Sequence, residues 1–388
     1  MEITRPTVME IDLNAFEYNV NQIQKYAGNG IKIMPVIKAN AYGTYINKRV
    51  VVLEKFDIVA VALVDEAIEL REAGYSKEIF VLNQPYKDEI EKIIKYNVTV
   101  GVSSECFVEE LGKTNKNINI HIELGTGMGR TGIHPYRIIE FIDKIKHYSN
   151  IMIQGIYTHL SSADYDDVYT IKQLNNFNEA VSKAQEYIGE LKYIHCSASN
   201  GILNYTNKEL NNSNNIVEDK SRDSNNKKIN TYSNLIRPGI ILYGYESFDK
   251  TMEMIDLKPV CKLKSKITFL KEVEAGTSIG YSRSYITTRK TKVATIPIGY
   301  ADGLRRSLSN KGEVLINGKR VPIIGKVCMD GFMADVTDLE EVSVGDEVYI
   351  WDNEIIMLEE VANLCDTINY EIMSTISNRV PRRFIKWR

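Results

Sequence analysis

The sequence lacks the features that define several large classes of protein. No stretch approaches the roughly 18 consecutive apolar residues of a membrane-spanning helix, and the first residues lack the basic and apolar regions of a secretory signal. The 48 Lys and Arg residues nearly balance the 51 Asp and Glu residues, so there is no basic footprint for nucleic acid. We therefore expect a soluble, cytoplasmic protein whose partners include neither a membrane nor a nucleic acid.

Cysteine is scarce and scattered. The 5 cysteines are an odd number, and none belongs to a Cys-x-x-Cys pair. A disulfide framework and a zinc site are therefore not indicated, and we predict no metal ion. Hydrophobic residues make up 44% of the 388 residues. That is enough for a barrel of about 250 residues and a smaller domain.

Short apolar runs recur along the first two-thirds of the chain, each followed by an amphipathic segment. They cover 33–37, 58–63, 79–82, 98–102, 118–124, 152–157, 193–196 and 235–242, with helices predicted at 65–73, 88–96 and 171–188. Strands that alternate with helices in this way predict an α/β fold, a (β/α)8 TIM-like barrel. The alternative is a doubly wound sheet, but no G-x-G-x-x-G sequence follows the first strand.

After about residue 246 the pattern changes to short strands and hairpin turns. Strands are predicted at 262–273, 292–297, 313–316, 319–324 and 347–351, and residues 7–11 are a candidate to join them. We predict a barrel domain at 10–245 and a mostly β C-terminal domain at 246–388 that also takes residues 1–9. The asparagine-rich segment 206–233 is predicted to be a solvated insertion.

Polar residues follow the predicted barrel strands at the end where barrel enzymes carry their active sites. They are Lys38, Arg130, His159, Ser199 and Arg237. A lysine at the end of an apolar strand either reaches solvent or acts as a Schiff-base lysine with a lowered pKa. Ser199 and the Gly239-Ile240 backbone offer a phosphate site after the seventh and eighth strands. With Lys38, they suggest pyridoxal 5′-phosphate (PLP) as cofactor.

Seven collinear motifs resemble those of the PLP-dependent alanine racemase family, over about residues 9–384. They are VIKANAYG (36–43), GTGMGRTG (125–132), GIYTH (155–159), RPGIILYG (237–244), IGYADG (298–303), GKVCMD (325–330) and RVPR (379–382). The resemblance implies interconversion of L- and D-alanine for cell-wall peptide. It also implies a head-to-tail homodimer in which Lys38 binds PLP and acts as one base, and Tyr281 of the partner subunit is the other.

The resemblance also assigns the residues around these two bases. His159 would contact Tyr281, and Arg237 would face the pyridine nitrogen of PLP. The cofactor phosphate would be held by Tyr42, Ser199, Gly239 and Ile240, with Asn378 nearby. The substrate carboxylate would be held by Arg130 and the backbone of Met329, and Tyr300 and Arg306 would line the substrate channel.

Five positions depart from the family pattern. Glu123 stands where many members carry a carbamylated lysine, and we predict that it pairs with Arg130 instead. Thr44-Tyr45 replaces His-Gly, and Ala198 replaces an asparagine; both changes remove hydrogen bonds around the cofactor. Asn378 replaces a tyrosine and would widen the substrate pocket.

These departures leave other functions open. One is a serine or broad-specificity racemase, since a small pocket discriminates weakly against one hydroxyl. A non-catalytic PLP-binding protein and a PLP decarboxylase are disfavoured by the β domain and the Tyr281 motif. An inactive paralogue is the remaining alternative.

Overall fold

The computed structural model describes residues 4–205, 232–248 and 251–385, so most of the predicted insertion 206–233 lies outside the described residues. The strands are β1 (Val8–Asp12), β2 (Lys32–Ile33), β3 (Ile58–Val61), β4 (Glu78–Val81), β5 (Thr99–Val102), β6 (Ile118–Glu123), β7 (Ile151–Tyr157), β8 (Tyr193–His195), β9 (Leu235–Ile236), β10 (Cys261–Lys266), β11 (Phe269–Val273), β12 (Ser278–Ile279), β13 (Tyr285–Ile286), β14 (Thr291–Ile296), β15 (Glu313–Ile316), β16 (Lys319–Ile324), β17 (Phe332–Asp335), β18 (Glu347–Trp351) and β19 (Arg382–Ile385).

Most of the helices follow barrel strands, and the last two lie near the C-terminal end of the chain. They are α1 (Leu13–Ala27), α2 (Lys38–Tyr42), α3 (Val50–Leu53), α4 (Val64–Glu72), α5 (Ile90–Lys95), α6 (Glu105–Lys113), α7 (Ile138–Lys146), α8 (Asp167–Ile188), α9 (Ser199–Tyr205), α10 (Thr251–Met254), α11 (Leu358–Leu364) and α12 (Asn369–Ser374). The three helices predicted after barrel strands correspond to α4, α5 and α8.

The first half of the chain is the predicted barrel. Strands β3 to β8 form a parallel sheet in sequence order, and β2 pairs in parallel with β9. Single bridges between Val36 and Ala60 and between Ala198 and Arg237 join these two sheets at both edges. All four residues of β3 are at most 1% exposed, as expected for strands covered on both faces. The predicted TIM-like barrel is confirmed.

Two barrel strands are much shorter than the apolar runs that predicted them. In the first run the strand β2 already ends at Ile33, and in the last run the strand β9 already ends at Ile236. In the last run, Pro238 has no N–H to continue a ladder, and Ile240–Tyr243 forms a 3-10 helix. Apolar character therefore located these strands but not their ends.

The C-terminal part is mostly β. Its nine-stranded sheet has the order β11-β14-β17-β16-β15-β18-β10-β1-β19, so the N-terminal strand joins it as predicted. The single strand predicted at 262–273 is wrong: β10 pairs with β1 and β18, and β11 pairs with β14. In this part of the chain, β12, β13, β17, β19, α10, α11 and α12 were not predicted. The domain boundaries at 10–245 and 246–388 stay predictions.

None of the helices in the described part of the chain has both the length and the apolar character of a membrane span.

Candidate functional site

Lys38 begins a left-handed turn at the end of the first barrel segment. Ala39, Asn40, Ala41 and Tyr42 have φ of 53°, 53°, 54° and 55°. Each L-residue in this conformation costs roughly 1–2 kcal/mol, so the surroundings must hold the turn. At its end, a Cβ on Gly43 would lie 2.2 Å from the Met373 carbonyl oxygen, so only glycine fits there. The strained turn therefore carries Lys38 at one end and Tyr42 at the other.

The charges around Lys38 favour its neutral amine. Burial and the positive charge of Arg130 lower the pKa of Lys38, and Glu66 opposes them. A neutral amine is the nucleophilic form, which a Schiff-base lysine needs. Lys38, Arg130 and Arg237 all act electrostatically on His159. These four predicted residues are therefore brought together at one end of the barrel.

A polar cradle lies around Gly239. The Gly239 N–H donates to Ser199 Oγ at 3.1 Å, and a Cβ on Gly239 would lie 2.4 Å from Tyr42 Oη. Burial raises the pKa of Tyr42, so its hydroxyl stays a donor. Ile240 opens a 3-10 helix, where the first N–H groups lack helical acceptors. These donors around a position without a side chain fit the phosphate of PLP.

Arg237 is buried and held by neutral acceptors. Its Nη1 donates to His195 Nδ1 at 2.6 Å and to the His195 carbonyl oxygen at 2.8 Å. Its Nη2 donates to the carbonyl oxygens of Thr158 at 2.7 Å and Cys196 at 3.3 Å, and lies 3.5 Å from His159 Nδ1. Since arginine stays protonated, this fixed cation suits a neutral ring nitrogen better than a protonated one.

The contacts of Arg237 assign the tautomers of a buried histidine chain. Because His195 Nδ1 accepts from Arg237, its proton lies on Nε2 and is donated to His121 Nδ1 at 2.9 Å. The remaining proton, on His121 Nε2, is buried without a partner among the described residues. Burial and neighbouring positive charge lower the pKa of His121 and of His159 to about 3. All three histidines are therefore neutral near pH 7.

Glu123 does not form the direct ion pair that we predicted. It is 4% exposed, and its Oε1 accepts from Thr131 Oγ1 at 2.7 Å. Among the described residues, Arg130 forms no ion pair with this carboxylate, although its positive charge opposes the rise that burial causes in the pKa of Glu123. The loop brings the side chain of Thr131 to Glu123 and leaves Arg130 exposed at the rim. That Glu123 orients Arg130 stays a prediction.

The remaining predicted residues of the C-terminal domain are exposed. Tyr281, Met329 and Tyr300 are 68%, 52% and 43% exposed. Tyr300 N–H donates to the Cys328 carbonyl oxygen, which places Tyr300 beside Met329. The side chain of Tyr281 makes no hydrogen bond or ring contact with another described residue of its own chain. Arg306 is also exposed, in a short 3-10 helix.

Two departures from the family pattern contact each other. The hydroxyl of Tyr45 donates to Asn378 Oδ1, and the Arg382 guanidinium carbon lies 4.7 Å from the Tyr45 ring centroid. Arg382 Nε also donates to the Gly43 carbonyl oxygen at 2.9 Å. A phenolic hydroxyl is thus present beside position 378, although it comes from the barrel.

Sequence reasoning missed Glu66 and His121 as members of the site. His121 alternates with Glu123 in β6, so both side chains face the same side of that strand. That polar alternation within an apolar run was the available signal. Glu66 gave no signal beyond a helix start.

Comparisons with known proteins agree along the whole chain. The family models "Alanine racemase, N-terminal domain" and "Alanine racemase, C-terminal domain" match residues 11–247 and 260–384. The alanine racemase of Halothermothrix orenii is 39% identical over 98% of this chain and 97% of its own. That of Methanococcus maripaludis is 38% identical over 99% of this chain and 100% of its own.

Solved structures give the same result. The alanine racemase of Clostridium difficile 630 superposes with a TM-score of 0.88 at 33% identity, covering 99% of this chain and 97% of that one. The alanine racemase of Bacillus anthracis with bound L-Ala-P has a TM-score of 0.86 at 33% identity, covering 100% and 96%. The chain therefore belongs to the alanine racemase family, whose members depend on PLP.

Proposed function

We propose that the protein racemises alanine with PLP as cofactor and with Lys38 and Tyr281 of the partner subunit as its two bases. The observation that carries the proposal is the single strained turn that places Lys38 beside the cationic rim and Tyr42 beside Gly239 and Ser199. The family of the chain supports the reaction. When bound, PLP would withdraw electrons from the substrate and make the proton on its Cα acidic.

The residues of the chain then move and place the proton. Racemisation needs a base on each face of the substrate, and Lys38, whose pKa is lowered by burial and by Arg130, serves one face. Tyrosine with a pKa near 10 is only about 0.1% ionised at pH 7, so Tyr281 needs assistance. Because Nδ1 of neutral His159 faces Arg237, its Nε2–H is available to donate to the oxygen of Tyr281 and favour the phenolate.

The substrate carboxylate would lie at the rim. Arg130 makes no ion pair or hydrogen bond with another residue in the described part of the chain, so its guanidinium is available for a carboxylate. We propose that the backbone of Met329 assists it, that Glu123 orients it through Thr131, and that Tyr300 lines the substrate channel.

The proposal includes a cytoplasmic head-to-tail homodimer and the domain boundaries predicted above. The homodimer is supported by the side chain of Tyr281, which is largely exposed and has no partner among the described residues of its own chain. In such a dimer the exposed Tyr281, Met329 and Tyr300 would complete the site of the other subunit.

Serine is a second candidate substrate. A cavity of about 450 Å³ beside Arg130 is lined by Gln84, Ser103 and Thr131 and also by Pro85 and Tyr86. We propose that this cavity admits a hydroxymethyl side chain, although one hydroxyl in a small pocket is often worth only about a hundredfold in selectivity. Asn378 is smaller than the family's tyrosine, but the hydroxyl of Tyr45 lies against it, so it is not an argument for a wider pocket.

Turnover and absorbance test the proposal together. Purified protein with PLP is incubated with L-Ala, L-Ser or L-Lys, and the products are separated on a chiral column. We expect D-alanine, with D-serine formed more slowly, and a visible absorbance band that is lost in Lys38→Ala. Absence of any D-amino acid would overturn the proposed reaction, and an unchanged band in Lys38→Ala would overturn the cofactor assignment.

A further inference from the structure

Glu66 bonds three backbone amides from two separate segments. It lies in the first turn of α4, and its Oε2 accepts from the N–H groups of Ala62 at 2.8 Å and Leu63 at 3.2 Å. Its Oε1 accepts from the N–H of Ala39 at 2.5 Å. Ala39 directly follows Lys38, so one carboxylate links the start of a helix to the residue next to the predicted base.

Capping of the helix explains two of these three contacts. A glutamate at the third helical position commonly accepts from the N–H groups before its own helix, as Oε2 does here. The bond from Ala39 comes from a segment 27 residues earlier in the chain. Ala39 is also the first of the residues held at φ near 53°, a conformation that needs support from outside the turn.

The two ends of the turn are held differently. Gly43 is enclosed at the far end by the backbone at Met373. At the near end, the bond to Glu66 fixes the Ala39 amide. Without it, this end of the turn would be held only by the bonds from Ala41 N–H to the Ile37 carbonyl oxygen and from Gly43 N–H to the Ala39 carbonyl oxygen, both 2.9 Å, and the Ala39 N–H would have no acceptor to fix the direction of the adjoining Lys38.

We propose that Glu66 is a positioning residue for Lys38, which holds the left-handed turn in place through the amide of Ala39. The inference rests on the proposed function, in which Lys38 acts on the substrate. Glu66 touches neither substrate nor cofactor in this scheme. Its contribution is the direction of the Lys38 side chain, together with a negative charge that partly offsets that of Arg130.

Glutamine at position 66 separates positioning from helix capping. Glutamine also serves in the capping position, because its single carbonyl oxygen can accept from Ala62 and Leu63. Its amide –NH₂ would then face the Ala39 N–H, and two donors cannot bond. Glu66→Gln therefore keeps the cap and removes the contact with the turn together with the negative charge.

Glu89 provides the matched control. Its Oε2 accepts from the N–H of Tyr86 at the start of its own helical turn, and it makes no contact with residues 38–43. We expect kcat for L-alanine to fall about 10- to 100-fold in Glu66→Gln, because a bond to a carboxylate is among the stronger hydrogen bonds and its loss releases the turn next to Lys38. KM should change little, and Glu89→Gln should match the wild type in both.

The pH titration of the visible absorbance of bound PLP gives a readout independent of turnover. The charged groups that act on Lys38 are Arg130 and Glu66, and the neighbouring His159 is neutral. Loss of the Glu66 charge should move the titration midpoint to lower pH in Glu66→Gln. Glu66→Asp, which keeps the charge but is one methylene shorter, should lower kcat with a midpoint near that of the wild type.

Three outcomes would overturn the inference. One is a kcat of Glu66→Gln equal to that of Glu89→Gln, and another is a wild-type kcat in Glu66→Asp. The third is a fall in kcat that thermal unfolding explains entirely by a smaller folded fraction. If the wild type forms no D-alanine, the proposed function fails instead, while the absorbance titration still tests Glu66.

Discussion

Acid should destabilise the protein through its buried histidines. His121 and His195 are both 0% exposed, and their pKa values in the folded chain lie far below 6.5, at about 3 for His121. Between these values the unfolded chain binds a proton that the folded chain does not, so stability rises with pH. It is complete above about pH 6.5 and is lost as the pH falls toward 3. From pH 7.5 to 5.5, each buried histidine should cost about 1.4 kcal/mol, or about 2.8 kcal/mol for the pair.

Urea denaturation at pH 7.5 and 5.5 measures this loss at fixed protein and PLP concentrations. His121→Phe preserves the stacking on Phe80, whose ring centroid lies 4.4 Å away, and should reduce the loss by about 1.4 kcal/mol. His134→Gln is the control, since His134 is exposed and should leave the loss unchanged. An equal loss in the wild type and in His121→Phe would refute the assignment of a neutral buried His121.

Three further predictions concern the cofactor and substrate sites. Gly239→Ala would place a Cβ 2.4 Å from Tyr42 Oη, so PLP affinity in an absorbance titration should fall at least about tenfold; unchanged affinity would contradict the cradle. Glu123→Ala should raise KM for L-alanine more than it lowers kcat, and wild-type turnover should not depend on added bicarbonate; bicarbonate-dependent turnover would contradict the role of Glu123. Tyr45→Phe and Asn378→Ala should weaken PLP binding equally, and the double variant no further; additive losses would show that the two residues act separately.

The barrel was predictable because burial on both faces leaves a strong apolar signal. Each of the eight runs overlaps an observed strand, and the alternation of strands with helices predicted the order of the barrel elements along the chain. The C-terminal sheet was less predictable, since short strands that are partly exposed carry weaker patterns. β19 begins with Arg382-Arg383 and pairs with β1, which lies at the other end of the sequence. Its conformation therefore depends on a contact that no local pattern shows.

The residues of the candidate site also fall into a group that was predictable from the sequence and a group that was not. Lys38, Ser199 and Arg237 were predictable because each ends or follows a barrel strand, where side chains reach the active-site rim. Glu66 and His121 act on other residues, so their importance depends on distances that appear only in the folded chain. For Glu123, alternation predicted an inward-facing carboxylate. Which neighbour it contacts depends on the loop carrying Arg130 and Thr131.

Tyr45 and Asn378 show why departures from a family pattern need a structure before they are interpreted. Taken separately in the sequence, each removes a feature that family members carry near the cofactor. In the folded chain they lie against each other, although 333 residues separate them, and the hydroxyl of Tyr45 points at position 378. A tyrosine missing from one side of the site is thus matched by a tyrosine added on the other. The two changes are better understood as one exchange than as two losses, which favours an active enzyme over an inactive paralogue.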